Sequence, residues 1–148
     1  MPLALTCETK IDVLYWQKKA LNFAKSHYFL PIDGGAKQPH FTFIIKRASI
    51  ICWGYNRAYQ THPLAKRFEH RFNAIHSELD AIRHFPYPLR ELRNYTLLNI
   101  RVKKDGTLGN AEPCKHCKRM LRTFGVRKIY HSIYPSSFRT LSLPTPLQ

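Results

Sequence analysis

The sequence predicts an α/β fold: a central sheet of about five strands interleaved with three helices. Three observations carry this. Runs of β-branched and aromatic residues at 41–45, 49–53, 95–102, 127–131 and 138–143 read as strands. Apolar residues recur at helical spacing over 10–29, 73–84 and 114–124. At 148 residues and 44% hydrophobic content the chain has enough apolar surface for one ordinary core, so 1–148 is expected to form a single domain with its core over 10–143.

In the first helix Val13, Trp16, Ala20 and Ala24 share one side, with Leu14 and Leu21 beside them, while Lys18, Lys19 and Lys25 face elsewhere. Trp16 is expected in the core. Pro31, Gly34 and Gly35 end the helix. The first two strands are separated only by Lys46, Arg47 and Ala48, so they should pair antiparallel, with Cys52 a buried thiol. Gly54 is expected to turn the chain at the strand end, leaving Asn56 where a loop departs from the sheet. The basic stretch 61–70 is long for a connector and reads as a functional loop. His62 and His70 in it have no partner at ligand spacing.

In the second helix Ile75, Leu79 and Ile82 form the core face, Ala74 and Ala81 allow close packing, and Asn73 is the expected N-cap. Pro86 and Pro88 close it. Asp105-Gly106 marks a tight turn after the third strand. Pro113 opens the third helix. Along it Cys117, Met120, Leu121 and Phe124 make a core face; Lys115, Lys118, Arg119 and Arg122 make a basic one that reads as solvated. Gly125 is its expected stop. Only about six residues separate the last two strands, too few for a parallel crossover, so they should be antiparallel. The Pro-rich end, 144–148, is expected to be a loose tail.

Charge narrows the partners. Lys and Arg number 24 against 9 acidic residues, a formal +15 spread along the chain. Such a surface attracts polyanions or phosphate-bearing substrates. The start of the chain lacks the pattern of a secretory signal, and no apolar run approaches 18 residues, so neither secretion nor a membrane partner is expected. Of the four Cys, Cys7 carries no signal and Cys114/Cys117 form a thiol pair suited to a reducing compartment: the cytoplasm, or that of a host if the source is viral.

The chemistry concentrates in His76-Ser77-Glu78 and Pro113-Cys114-Lys115-His116-Cys117. One His and two Cys suit a tetrahedral Zn²⁺ with its fourth position open, as a catalytic zinc requires. Two residues apart at a helix start, His76 and Glu78 point in different directions, which suits one ligand and one acid–base group. Cys114 and Cys117 share one side of a helix's first turn, where the helix N-terminus favours thiolates. A redox Cys-x2-Cys leaves His76 and Glu78 without a role. A zinc finger using His131 lacks its second His.

The paired motif, H-x-E with P-C-x-x-C, resembles the zinc-dependent cytidine and deoxycytidylate deaminase superfamily over roughly residues 40–132. The resemblance implies a three-layer fold with helices on both faces of a mixed sheet. It implies His76, Cys114 and Cys117 as metal ligands, Glu78 as general acid–base, and hydrolytic conversion of cytosine to uracil. It further implies that Asn56 contacts the substrate sugar, that Ala111 and Glu112 lie against the substrate, and that Tyr134 sits where polynucleotide enzymes keep a base-contacting loop. Antiparallel final strands resemble the small-substrate branch, whose members often form homo-oligomers. A free cytidine nucleotide, dCMP-like, is therefore the expected substrate and single-stranded nucleic acid the alternative. A nucleic-acid-binding module with a purely structural zinc is the reading from a different class. Two departures bear on the substrate: Ala111 stands where Ser or Thr is frequent, and the stretch 103–110 is long.

Overall fold

The computed structural model describes residues 15, 16, 18, 19, 22, 23, 26, 40–47, 49–58, 62–68, 74–103 and 105–144. The expectations for Cys7, Val13, Leu14, Ala20, Leu21, Ala24, Lys25, Pro31, Gly34, Gly35, His70, Asn73 and the tail beyond Pro144 lie outside them.

Residues 15, 16, 18, 19, 22, 23 and 26 are helical. The chain then forms β1 (His40–Lys46), β2 (Ser49–Tyr55), β3 (Arg57–Ala58), α1 (Pro63–Arg67), β4 (Ala74–Ile75) and α2 (Ser77–Arg83). A 3₁₀ helix (Leu89–Asn94), β5 (Thr96–Val102), β6 (Leu108–Gly109), α3 (Lys115–Thr123), β7 (Lys128–Ile133) and β8 (Ser137–Ser142) follow. The main sheet runs β2-β1-β5-β7-β8, with β6 also on β5. Only β5/β7 is parallel among these pairings.

Strand alternation builds a core on each side of the sheet. Phe41, Phe43, Ile45, Leu98 and Ile100 pack with Trp16 on one face. Ile44, Leu97 and Ile129 pack with Leu79, Ile82, Met120 and Leu121 of α2 and α3 on the other. Helices thus cover both faces, and Trp16 is in the core as expected. The same alternation puts His40 and Thr42 of β1 and Asn99 and Arg101 of β5 on the α2/α3 face.

Expected pairings hold for β1/β2 and β7/β8, both antiparallel. Gly125, at φ +88°, ends α3: its N–H donates to Arg122 O at 2.9 Å and that of Val126 to Leu121 O at 2.9 Å. At the Asp105-Gly106 turn Lys103 N–H donates to Thr107 O at 2.8 Å, and the turn joins β5 to the short β6, which the sequence reading did not foresee.

Three expectations need correction. α2 starts at Ser77 rather than 73, because Ala74–Ile75 pair with Arg57–Ala58 in a two-stranded sheet. The basic stretch is not a bare loop, since α1 lies within it, with His62 as N-cap accepting from Leu64 N–H at 3.1 Å. Gly54 does not turn the chain; it lies inside β2, where a Cβ would sit 2.2 Å from Ala81 N and 2.5 Å from Asp80 C. The glycine exists for close approach of α2. Cys52 beside it is half-buried, its thiol pushed up to about 11 by burial and placed 3.5 Å from Ala81 O.

Asp80 locks that contact. Its fully buried carboxylate accepts from Tyr55 N–H at 3.0 Å and pairs with Arg57 at 2.9 Å and Arg83 at 2.7 Å. Among the described residues no helix is long and apolar enough to cross a membrane. Gly54→Ala must push α2 off β2; the expected cost is about 3 kcal/mol or more, read as a lowered urea midpoint, and a midpoint equal to wild type would refute the packing argument.

Candidate active site

Two helix starts converge. His76 is the N-cap of α2 and Cys114 the N-cap of α3, where its sulfur accepts from Cys117 N–H at 3.5 Å. His76 Nδ1 lies 3.6 Å from Cys114 Sγ and 3.3 Å from Cys117 Sγ. Zinc at about 2.3 Å from sulfur and about 2.05 Å from nitrogen in a tetrahedron separates S from N by about 3.6 Å. The three donor atoms, all within 4.8 Å of one another, therefore fit one zinc ion.

Their protons are arranged accordingly. Hydrogen bonds from Cys117 and His76 hold Cys114 down to about 3 despite partial burial. Cys117 is raised well above the usual thiol range, first by its hydrogen bond to Cys114 and then by burial and the charge of Glu78. His76 is raised, chiefly by its hydrogen bond to Cys114 and against its burial.

Glu78, 5% exposed, sits in the first turn of α2 beside Cys117. Its Oε1 is 3.1 Å from Ser77 Oγ. Ser77 Oγ is 2.8 Å from Thr42 Oγ1, which is 2.7 Å from Asn99 Oδ1. Asn99 Nδ2 donates to Ala111 O at 3.3 Å, closing a buried chain from the carboxylate to the segment that precedes Pro113. Sequence reasoning missed Thr42, Ser77 and Asn99 as members of this site. The available signal was polarity: Thr42 lies between Phe41 and Phe43, and Asn99 between Leu98 and Ile100, in otherwise apolar strands.

The remaining expected residues have varied surroundings. Asn56 Oδ1 accepts from His40 N–H at 2.9 Å, tying the start of β1 to the end of β2. Burial, then the charges of Arg101 and His76, push the His40 imidazole down to about 4. Ala111 is buried, its N–H donating to Ser132 O at 3.0 Å. Glu112 is exposed and pairs with Lys118 at 2.8 Å, which lowers its carboxyl. Tyr134 is 58% exposed at the β7–β8 turn, under Lys103 Nζ at 4.4 Å from its ring centroid. The structure therefore brings together His76, Glu78, Cys114 and Cys117, with Ala111 linked through Asn99. Two buried nitrogens on the site face of the sheet, Arg101 Nε and His131 Nε2, have no hydrogen-bond partner.

A mixed sheet carries a His and a Cys-x2-Cys on adjoining helix starts, an arrangement that fits a single zinc ion. The chain belongs to the family described as the cytidine and deoxycytidylate deaminase zinc-binding region, whose profile matches residues 14–133. No curated protein matches it in sequence. Among solved structures, a cytidine deaminase from Burkholderia pseudomallei is similar at 12% identity and TM-score 0.50, over 75% of this chain and 80% of that one. A cytidine deaminase from Mycobacterium leprae aligns at 17% identity and TM-score 0.47, over 84% of this chain and 88% of that one. The dCMP deaminase of cyanophage S-TIM5 aligns at 19% identity and TM-score 0.41; the match covers 64% of this chain and 65% of the phage chain. The first of these shows likeness of fold.

Zinc must displace protons from His76 and Cys117, both held more tightly than usual. Its apparent affinity should therefore rise with pH, and competition titrations at about pH 6 and about pH 8 should differ at least about tenfold. Equal affinities would contradict this proton arrangement. Cys117→Ala should reduce the zinc content, about one per chain in wild type, to near zero.

Proposed function

We propose that the protein is a hydrolytic deaminase converting the cytosine of a free cytidine nucleotide, dCMP-like, to uracil with release of ammonia. The observation that carries this reading is the buried carboxyl of Glu78 beside the His76, Cys114 and Cys117 donors, backed by the hydroxyl of Ser77. Zinc held by those three residues supplies a Lewis acid that makes water nucleophilic near neutral pH. Glu78 takes the proton of the attacking water, delivers it to ring N3, and then moves a proton onto the departing amine. Water oxygen bonds to C4 as the C4–N4 bond breaks, so water and cytosine become uracil and ammonia. Asn56 meets the sugar, and the backbone at Ala111 and Glu112 lines the base.

The antiparallel β7/β8 pair supports a small substrate, since it resembles the branch typified by small-molecule cytidine deaminases. The basic side of α3 is already engaged in part. Lys118 pairs with Glu112, Arg122 Nε donates to Pro144 O at 3.0 Å, and Arg119 lies over Phe68. A single-stranded polynucleotide is the second reading, favoured by the +15 charge and the exposed Tyr134 ring. A purely structural zinc is disfavoured, because the donor cluster among the described residues has three members rather than four.

Glu78→Gln should keep zinc and fold and lose nearly all ammonia release; full activity in that variant would refute the reading. Cytidine, dCMP, dCTP and a cytosine-containing strand should be compared at two salt concentrations. A strand enzyme loses affinity by about 0.7 log units per log salt for each phosphate contact. The proposal expects turnover of dCMP with a shallow slope, and no effect of Tyr134→Ala. Reaction of the strand alone, weakened about tenfold by Tyr134→Ala through the loss of a stacked base, would establish the second reading instead.

A further inference from the structure

We infer that Arg101 is the anion anchor of this site and holds the phosphate monoester of a mononucleotide substrate. The inference rests on the deaminase reading above and adds which residue recognises the phosphate.

Arg101 lies on the sheet face that α2 and α3 cover. It stands two residues along β5 from Asn99, a step of about 6.8 Å, and Asn99 leads through Thr42 and Ser77 to Glu78. Across the sheet it is paired with His40 on β1 and with Gly109 on β6. A Cβ at Gly109 would lie 2.9 Å from Arg101 Cδ, 3.2 Å from Cγ and 3.3 Å from Nε, so the glycine is what leaves room for the arginine stem. The cradle is built for this side chain, yet nothing described there neutralises it. Arg101 Nε is buried with no hydrogen-bond partner.

The described carboxylates are all engaged elsewhere. Glu78 meets Ser77, Asp80 holds Arg57 and Arg83, Glu91 accepts from Asn94, Asp105 from Thr107, and Glu112 from Lys118. A half-buried guanidinium without a counter-charge is costly unless a ligand brings one. The planar fork of Arg matches a phosphate bidentately. The cations of the stretch that follows β2 are less well suited. Arg57 is bound to Asp80 and stacked on the Tyr55 ring at 4.0 Å, and Arg67 lies over Phe68 at 5.1 Å. Among these cations Arg101 combines a cradled stem with an unpartnered buried donor, and it stands two residues along β5 from Asn99, where the hydrogen-bonded chain to the Glu78 carboxylate begins.

The test compares kcat and KM for dCMP and deoxycytidine in the zinc-loaded protein. Wild type should prefer dCMP. Arg101→Gln should cut that preference by about 10- to 100-fold, mainly through KM, with zinc content unchanged. Gly109→Ala displaces the stem without removing the charge and should cut the preference in the same direction, which keeps the test decisive where Arg101→Gln does not fold. A preference unchanged within about twofold, or equal losses on both substrates, would overturn the inference and leave Arg101 a structural residue. If wild type releases ammonia from neither compound, the deaminase reading fails. The anchor is then judged by calorimetry with dUMP: weaker binding to Arg101→Gln than to wild type supports it, and equal binding overturns it.

Discussion

The rest of the site depends on how closely α2 can lie on β2. That helix has only seven residues, too few to be stable on its own, so its position comes from packing. Gly54 lets the helix backbone at Asp80 and Ala81 approach to a distance no side chain would allow. The Asp80 carboxylate, bonded to the Tyr55 N–H and to Arg57 and Arg83, then fixes the helix along the strand. With both placed, the helix start has little freedom. His76 and Glu78 inherit their geometry from a contact one turn further along the helix.

Much of this was legible in the sequence because it is local. Runs of β-branched and aromatic residues in 41–45 and 95–102 report strands, and the three-residue spacing of Cys114 and Cys117 reports one side of a helix turn. The metal-binding set was readable for the same reason: its chemistry needs particular residue types at short spacing. What was not legible involves distant partners. Ala74–Ile75 looks like the first turn of an amphipathic helix until Arg57–Ala58 is there to pair with it. Gly54 has the same composition signal whether it turns a chain or admits a helix. Thr42 and Asn99 are 57 residues apart, and only the β1/β5 register puts them opposite each other.

Charge is used economically in the second half of the chain. Its five carboxylates are Glu78, Asp80, Glu91, Asp105 and Glu112. One faces the metal donors, one clamps a helix, one caps a turn, and the others brace local structure. Each of the five is engaged by a neighbouring group, while the chain as a whole keeps its formal charge of +15.

The distribution of the zinc ligands along the chain has a further consequence. His76 precedes Cys114 by 38 residues and Cys117 by 41, and the 3₁₀ helix, β5 and the β5–β6 hairpin lie between. An ion bridging them closes a loop through the middle of the sheet, as a covalent crosslink would, and removes configurational freedom from the unfolded chain. Part of the binding free energy of the ion is therefore folding free energy. The same atom that equips the site for chemistry staples its two supporting helices into one topology.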